Sequence, residues 1–224
     1  MKRATFLTVL FFGISQNTQA KLIIYDSGPG LVYDTENDIT WLMNANYAET
    51  IGYDDLLYGS NTGGKLTWYD AVEWVSNLTI YDTKNNIVWS NFRLPTYDGT
   101  YGSNYYGIYE GSEFYNLYYL ELGNVLDYIE GMEKQGPFIN IAEQAYWTGV
   151  TNPENSGYAN IFAMNWGHHT FDNKLEVKYV WPVMDGDVAG QAGLQPIAVP
   201  VPSAAILGCL GAGLIGWLRR RRIV

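Results

Sequence analysis

Residues 67–78, which read TWYDAVEWVSNL, carry the clearest helical pattern in this 224-residue chain. Thr67 and Asp70 stand three residues apart, a spacing like that of a capping box at the start of a helix. The apolar side chains of the stretch then recur at intervals that place them on one face: Trp68, Ala71, Val72, Val75 and Leu78. The pattern predicts an amphipathic helix with one face in a hydrophobic core.

Short strands are predicted on both sides of this helix. Before it, apolar runs separated by turn residues predict strands at 22–25, 31–33 and 39–42, followed by an irregular loop at 47–64. After it, alternating patterns predict strands at 145–150, 158–166 and 177–183.

A second helix is predicted between Ser112, whose hydroxyl can cap the first turn, and Gly123, which can close the last one. Its expected buried residues are Phe114, Leu117, Tyr118 and Leu122. Upstream of it, Pro95 forces an extended backbone on its neighbours. Together the elements predict an α+β fold of small antiparallel sheets with two helices.

The C-terminal residues have the pattern of a membrane segment. Sixteen uncharged residues, 203–218, are followed by four arginines. A helix of that length reaches roughly 24 Å, less than the roughly 30 Å hydrocarbon core, so flanking residues must help it to span. We expect a transmembrane segment at 201–218 and a cytoplasmic basic tail at 219–224, because arginines stay on the cytoplasmic side. A buried core helix beside a basic tail is the alternative.

The N-terminus predicts export. Lys2 and Arg3 precede an apolar run, so residues 1–20 have the pattern of a signal peptide that signal peptidase removes between Ala20 and Lys21. An uncut N-terminal anchor is the alternative. The rest of the exported part is expected to be one domain at 21–185 and a flexible linker, rich in Gly, Ala, Gln and Pro, at 186–200.

The net charge of the exported part limits the classes of ligand that it can bind. Of 13 basic residues, two lie in the signal peptide and four in the tail, which leaves 7 against 23 acidic residues and a net charge of −16. Such a surface repels nucleic acid and acidic polysaccharide. The only cysteine, Cys209, lies in the membrane segment, so the domain has no disulfides. The chain holds 19 Tyr and 8 Trp residues, of which only Trp217 lies in the membrane segment, and packing of the others must stabilise the domain.

The tail resembles a known sorting signal. Val199-Pro200-Val201-Pro202, a short apolar span and a final cluster of Arg219, Arg220, Arg221 and Arg222 are similar to the PEP-CTERM signal of Gram-negative bacteria. Val201 stands where that signal usually has Glu. The resemblance implies that an exosortase, a membrane cysteine protease, recognises the tail, cuts near the Pro motif and releases or re-anchors the protein at the cell surface.

A second resemblance covers nearly the whole exported part. Its motifs are Leu31-Val32-Tyr33-Asp34, Ile39-Thr40-Trp41-Leu42, Thr67-Trp68, Arg93-Leu94-Pro95-Thr96, Tyr146-Trp147-Thr148-Gly149 and Trp181-Pro182-Val183. In this order they resemble the Lcl C-terminal domain family, whose activity is largely unassigned and whose best-studied members look like surface adhesins for polyanionic glycans. The acidic charge argues against that ligand here. We expect structural roles for Trp41, Trp68, Arg93, Leu94, Pro95, Thr96 and Trp147.

The Arg93-Leu94-Pro95-Thr96 motif after a Trp-led helix also looks like the C-type-lectin-like and formylglycine-generating-enzyme fold, a resemblance of fold alone. The chemistry of that enzyme depends on cysteine, which the exported part lacks. Lectin calcium motifs are not reproduced either, and 152–155 is expected to be a turn.

Ionisable residues point to no definite catalytic or metal site. His168 and His169 are adjacent and would point to opposite sides of a strand, so we expect a loop there. Five acidic residues could collect calcium, although solvated acidic loops are the simpler interpretation: Asp34, Glu36, Asp38, Asp54 and Asp55. We predict no catalytic residue, no metal and no cofactor.

The sequence thus predicts a non-enzymatic surface or matrix protein that contacts extracellular polysaccharide. Five tyrosines in a polar segment offer ring faces for sugar stacking: Tyr97, Tyr101, Tyr105, Tyr106 and Tyr109. An exported glycan hydrolase that uses paired carboxylates is the alternative.

Overall fold

A computed structural model describes residues 22–97, 107–126 and 131–197. The strands are β1 Leu22–Tyr25, β2 Leu31–Asp34, β3 Ile39–Leu42, β4 Ile80–Asp82, β5 Ile87–Trp89, β6 Ala145–Thr151, β7 Tyr158–Ala163, β8 His168–Asn173 and β9 Val183–Asp185. The helices are α1 Tyr47–Thr50, α2 Tyr53–Tyr58, α3 Trp68–Asn77, α4 Glu113–Tyr115, which continues as a π-helix over Asn116–Glu121, and α5 Val188–Gln191. The predicted α+β class is confirmed.

The strands form small antiparallel sheets. β1, β2, β3 and β9 pair in that order, so the last strand returns to lie beside the third. β4 pairs with β5, and β6, β7 and β8 form a meander. Val183 of β9 pairs with Trp41 on one side and bridges to Arg93 on the other, which joins the first sheet to the segment that forms the candidate site.

Two hairpins repeat one sequence. Residues 33–41 read YDTENDITW and residues 81–89 read YDTKNNIVW. In each copy a buried aspartate accepts the indole N–H of the closing tryptophan: Asp34 from Trp41 at 3.1 Å and Asp82 from Trp89 at 3.4 Å. The repeat was missed in the sequence predictions, although the shared residues are visible in the chain.

The buried aspartates also build the turns. Asp34 accepts the backbone N–H groups of Glu36 and Asn37, both at 3.0 Å. Asp82 accepts those of Lys84 at 3.0 Å and Asn85 at 3.1 Å. The expected solvated acidic loop around Asp34 is therefore wrong, because this carboxylate is fully buried and serves as the acceptor of a hairpin turn.

Aromatic side chains fill the core. Trp41, Trp147 and Trp181 are fully buried. The Trp181 indole donates to the Leu42 carbonyl at 2.7 Å, and the Trp147 indole donates to the Leu66 carbonyl at 2.9 Å. Because these polar edges are satisfied, the rings bury their large apolar area without the cost of an unpaired donor.

The amphipathic helix predicted first is confirmed as α3. Thr67 Oγ1 accepts the N–H of Asp70 at 3.3 Å and caps the first turn. Of the predicted face, Ala71, Val75 and Leu78 are buried and Trp68 and Val72 are half-buried. The pattern missed Trp74, which is buried and packs on Tyr53 at a ring separation of 5.4 Å.

The second helix is confirmed as well. Ser112 Oγ accepts the N–H of Tyr115 at 2.9 Å, and Gly123 ends the helix with a φ of 66°. The four predicted residues, Phe114, Leu117, Tyr118 and Leu122, are all buried. The helix widens to π geometry after its first turn, which the sequence did not indicate.

The irregular loop expected at 47–64 instead contains α1 and α2. Asp54 orders this region, because it is buried and accepts the N–H groups of Thr62 at 2.6 Å and Gly64 at 3.1 Å. Burial opposes its charge, but these hydrogen bonds outweigh burial and lower the pKa of Asp54. The solvated acidic loop expected at Asp54 is therefore also wrong.

Two further predictions, both for the last third of the chain, are wrong. The strand expected at 177–183 is reduced to bridges with different segments, at Lys178 and Tyr179, before β9 begins. His168 and His169 lie in β8 and are buried, whereas a loop was expected. Their polar run lacks the apolar alternation that identifies a strand.

The segment after β9 does not form the flexible linker expected from its composition. Asp187 caps α5 and accepts the hydroxyl of Tyr25 at 2.7 Å. Ile197 donates its N–H to the Ile24 carbonyl at 2.7 Å, so the segment lies along β1. The domain therefore extends beyond residue 185, and we call residues 186–197 the C-terminal strap.

Several predictions concern residues outside the described ranges. These are the signal peptide with its cleavage site at Ala20 and Lys21, the tyrosines Tyr101, Tyr105 and Tyr106, the sorting residues Val199, Pro200, Pro202 and Arg219–Arg222, and the membrane segment at 201–218. Within the described ranges, no helix has both the length and the apolar character needed to cross a membrane.

Candidate functional site

A cleft lies between α3 and the extended segment that precedes the second helix. Its volume is about 300 Å³, at the lower end of the range of small-ligand sites. It is lined by Trp68, Val72, Val75, Ser76, Phe92, Arg93, Leu94, Thr96 and Gly149. Three sequence motifs, which begin at Thr67, Arg93 and Tyr146, thus converge on this site, which we call the Trp68 cleft.

Arg93 fixes one wall of the cleft. Its guanidinium donates to Glu113 through Nη1 at 2.9 Å and Nη2 at 2.6 Å, and its Nε donates to Asp185 at 2.8 Å. Burial disfavours the charged form, but the hydrogen bonds and charge of Glu113, followed by those of Asp185, outweigh it and raise the pKa of Arg93. Arg93 Nη1 also donates to the Leu94 carbonyl at 3.0 Å, so bonds within the protein fix the guanidinium, in keeping with the structural role expected of it.

Trp68 forms a second part of the cleft wall, in a fixed orientation. Its indole N–H donates to the Thr148 carbonyl at 2.9 Å. The ammonium of Lys174 lies 3.9 Å from the ring centroid and donates to Thr151 at 3.0 Å. Burial lowers the pKa of Lys174. The cleft is therefore preformed, because both walls are held by bonds made within the protein.

A buried chain of hydrogen bonds, which we call the relay, joins Ser112 at the start of the second helix to His169 in β8 and Asn160 in β7. Ser112 Oγ lies 2.6 Å from His169 Nε2, and His169 Nδ1 lies 2.8 Å from Asn160 Oδ1. Asn160 Nδ2 donates to the Thr170 carbonyl at 3.2 Å, so Asn160 Oδ1 is the acceptor. His169 therefore carries its proton on Nδ1, and its Nε2 accepts the Ser112 hydroxyl.

This relay has the order of a serine nucleophile, a base and an orienting amide, but it is closed to substrate. Ser112, Asn160 and His169 are buried, and the Ser112 oxygen already accepts the N–H of Tyr115. Burial is the main cause that lowers the pKa of His169 to about 3. The relay therefore ties the second helix to β7 and β8 through a neutral imidazole. Sequence reasoning missed it, because the three residues follow no local motif.

The tyrosine platform expected from the sequence is only partly described. Tyr109 is buried and packs against His169 and Tyr97, at ring separations of 5.2 Å for each. Burial, followed by the nearby Tyr97, raises the pKa of Tyr109. The expectation that Tyr109 presents a free face to a sugar is therefore wrong, and Tyr97 is half-buried beside it.

One carboxyl group has a pKa near neutrality. Burial, the charge of Asp34 and a hydrogen bond to Asp34 raise the pKa of Glu121 to about 7. A carboxyl group of this kind can act as a general acid. Its neighbour Asp34 is fully buried and accepts the hydrogen bonds of the hairpin turn, so it is closed to substrate.

The remaining expected site residues do not assemble into a metal centre. In the described ranges, no group of three or more His, Cys, Asp or Glu side chains is placed to hold a metal ion. Trp41 and Trp147 lie in the core, as expected for structural residues. Comparisons with protein-family models, with curated proteins and with solved structures found no match.

Proposed function

We propose that this chain is an exported, non-enzymatic polysaccharide-binding module of the cell surface or extracellular matrix. The observation that supports binding is the Trp68 cleft, a preformed site with an aromatic wall from the half-buried Trp68 and hydroxyl groups from Ser76 and Thr96. Sugar rings combine an apolar face with hydroxyl groups, and rigid aromatic walls with a few polar groups suit that chemistry.

The carboxylates favour binding over hydrolysis. Asp34, Asp54 and Asp82 are buried and accept the hydrogen bonds of turns, and Glu113 is committed to Arg93. A glycosidase needs one carboxyl group as acid and a second at the opposite side of the scissile bond. Glu121 has a suitable pKa, but its partner Asp34 is closed to a sugar. The hydrolase stays the second candidate on the strength of Glu121 alone.

The proposal also includes the cellular localisation of the protein. The N-terminal pattern supports export and removal of residues 1–20 by signal peptidase, and the Pro motif with Arg219–Arg222 supports processing by an exosortase-type protease. Before that cut, the segment at 201–218 holds the protein in the membrane. The body then faces the polysaccharide outside the cell.

The family and the finer fold belong to the same proposal. Membership of the Lcl C-terminal domain family, and an arrangement similar to C-type lectins and formylglycine-generating enzymes, are supported by the order of the sequence motifs. The positions of Trp41 and Trp147 in the core, and of Arg93 in an ion pair, are consistent with structural roles for these motifs.

The test combines binding with product analysis. The full-length chain, purified in detergent, is incubated with matrix from the producing cells and with purified polysaccharides, and both co-sedimentation and released sugars are measured. We expect binding without product, and weaker binding when Gly149→Trp fills the cleft. Release of oligosaccharides would favour the hydrolase. Absence of binding by the unsubstituted chain would contradict the proposal, and binding that Tyr105→Ala and Tyr106→Ala leave unchanged would remove these two tyrosines from the site.

A further inference from the structure

A second groove lies where the turn between β1 and β2 meets the second copy of the repeated hairpin. Its volume is about 340 Å³. It is lined by Gly28, Pro29, Asn44, Tyr47, Thr50, Ile80, Tyr81, Thr83 and Ile139. We call it the Tyr81 groove, and none of its residues lines the Trp68 cleft.

The first copy of the hairpin is covered at the equivalent position. Its Tyr33 donates to Asp38 at 2.9 Å, and the residue paired with Tyr33 across the strands is Thr40. Thr40 is fully buried and donates to the carbonyl of Gly186 in the C-terminal strap at 2.7 Å. The protein therefore uses this face of the first copy for its own packing.

The second copy presents the same face to solvent. Tyr81 donates to Asn86 at 2.6 Å, just as Tyr33 does to Asp38, and its cross-strand partner is Val88. Tyr81 and Val88 are each 57% exposed. The Tyr81 ring is thus held in place by its hydroxyl while a large part of its surface is open to solvent.

The polar groups of the groove are also fixed. Asn44 is buried, its Nδ2 donates to Thr50 at 2.7 Å, and its Oδ1 accepts the Asn46 N–H at 3.0 Å and the Asn140 amide at 3.1 Å. A side-chain amide and hydroxyl groups therefore lie beside Tyr81 and the 51% exposed side chain of Ile139.

The groove is uncharged within an acidic protein. None of the nine described residues that line it is an Asp, Glu, Lys, Arg or His. The exported part carries 7 basic against 23 acidic residues, so its field repels an anionic chain, and the lining offers no cation to bind one. The ligand that fits is amphipathic, hydroxyl-rich and neutral.

We propose that the Tyr81 groove binds a segment of an uncharged polysaccharide, with the apolar face of one sugar ring against Tyr81 and its hydroxyl groups toward the exposed Thr50 and Thr83. This inference rests on the proposed function and names its ligand class and a contact site.

The experiment measures co-sedimentation of the full-length chain in detergent with cross-linked dextran and insoluble β-1,3-glucan, and with covalently cross-linked, calcium-free alginate beads as an anionic probe. Tyr81→Ala should weaken binding to at least one neutral polymer about tenfold, as for a central aromatic contact. Thr83→Trp, which fills the groove from an exposed position, should have the same effect. Tyr81→Phe keeps the ring and should retain most binding. Val88→Ala is the matched control, because it changes the cross-strand partner, which does not line the groove.

The outcomes separate this inference from the proposed function. If the protein binds neutral polymers and Tyr81→Ala and Thr83→Trp do not change that binding, the Tyr81 groove is not the binding site. The polysaccharide-binding function itself would stand. Binding of alginate alone would lead to the same conclusion. Absence of binding to every polymer and to the producer's matrix would overturn both.

Discussion

Arg93 and Glu113 form a two-pronged ion pair across 20 residues of chain, with guanidinium–carboxylate distances of 2.6 and 2.9 Å. Glu113 Oε2 also accepts the N–H of Thr96 at 2.6 Å. The pair therefore holds the extended segment against the start of the second helix, and it fixes one wall of the Trp68 cleft. Two parallel hydrogen bonds to one carboxylate require the planar guanidinium of arginine, which lysine cannot replace.

Removing one partner should be strongly destabilising. We expect Arg93→Ala to lower the free energy of unfolding by about 3 kcal/mol, because Glu113 would stay buried without its counterion. Urea denaturation measures this. Lys84→Ala breaks the ion pair with Asp26, whose side chains are 52% and 63% exposed, and should cost less than about 1 kcal/mol. Equal effects of the two substitutions would contradict the role of Arg93.

His169 should make the protein sensitive to acid. The unfolded chain binds its proton near pH 6.5, whereas burial keeps the folded imidazole neutral to about pH 3. The stability that this group contributes is present above pH 6.5 and is lost as the pH falls through about 3, at up to about 1.4 kcal/mol per pH unit. Between pH 4 and 7, the free energy of unfolding should change less with pH in His169→Gln than in the wild type, as urea denaturation at each pH measures. Identical slopes would refute the neutral imidazole.

Glu121 should make the protein less stable as the pH rises, the opposite of the pH dependence expected from His169. Its carboxyl group is protonated in the fold up to about pH 7, against an ordinary pKa of 4.5. Its contribution is therefore complete below about pH 4.5 and is lost as the pH rises through about 7. We expect the Tm advantage of the wild type over Glu121→Gln to shrink as the pH rises from about 4.5 to 7, when the two proteins are measured side by side. The opposite contribution of His169 is common to both proteins and cancels in this difference. A Tm difference that stays constant over this range would contradict the raised pKa of Glu121.

The C-terminal strap should be required for stability. An added Cβ at Gly190 would lie 2.2 Å from Asp187 Oδ2 and 2.8 Å from the Tyr25 hydroxyl. Gly190→Ala should therefore lower the free energy of unfolding by about 1–3 kcal/mol and speed hydrogen exchange at the Ile197 amide. Gly149→Ala is the control, because its nearest new contact is at 3.7 Å. An unchanged exchange rate at Ile197 would mean that the strap packs independently of this contact.

Local patterns predicted those parts of the fold that depend on neighbouring residues. The caps at Thr67 and Ser112 and the first three strands follow from residues within a few positions of each other. The strap and the relay do not, since Tyr25 meets Asp187 and Ser112 meets His169 only in the folded chain. The composition of the C-terminal strap suggested a flexible linker, whereas the long-range hydrogen bond between Tyr25 and Asp187 orders it.

The candidate sites were only partly foreseeable for the same reason. Trp68 and Arg93 were identified as motif residues, but their convergence on one cleft depends on tertiary packing. Tyr109 looked exposed because its neighbours in sequence are polar, yet distant His169 covers it. Tyr81 had a visible signal, since residues 81–89 repeat 33–41, and a search for internal repeats would have found it.

Cell fractionation tests the central claim, an exported body held at the surface by its tail, most directly. The full chain and a chain lacking residues 199–224 are expressed in the producing cell, and both are followed by antibody in cytosol, membrane, surface and medium. We predict that the full chain reaches the surface without residues 1–20 and that the shortened chain is exported but not retained there. Intact, unprocessed full-length chain in the cytosol would contradict the account.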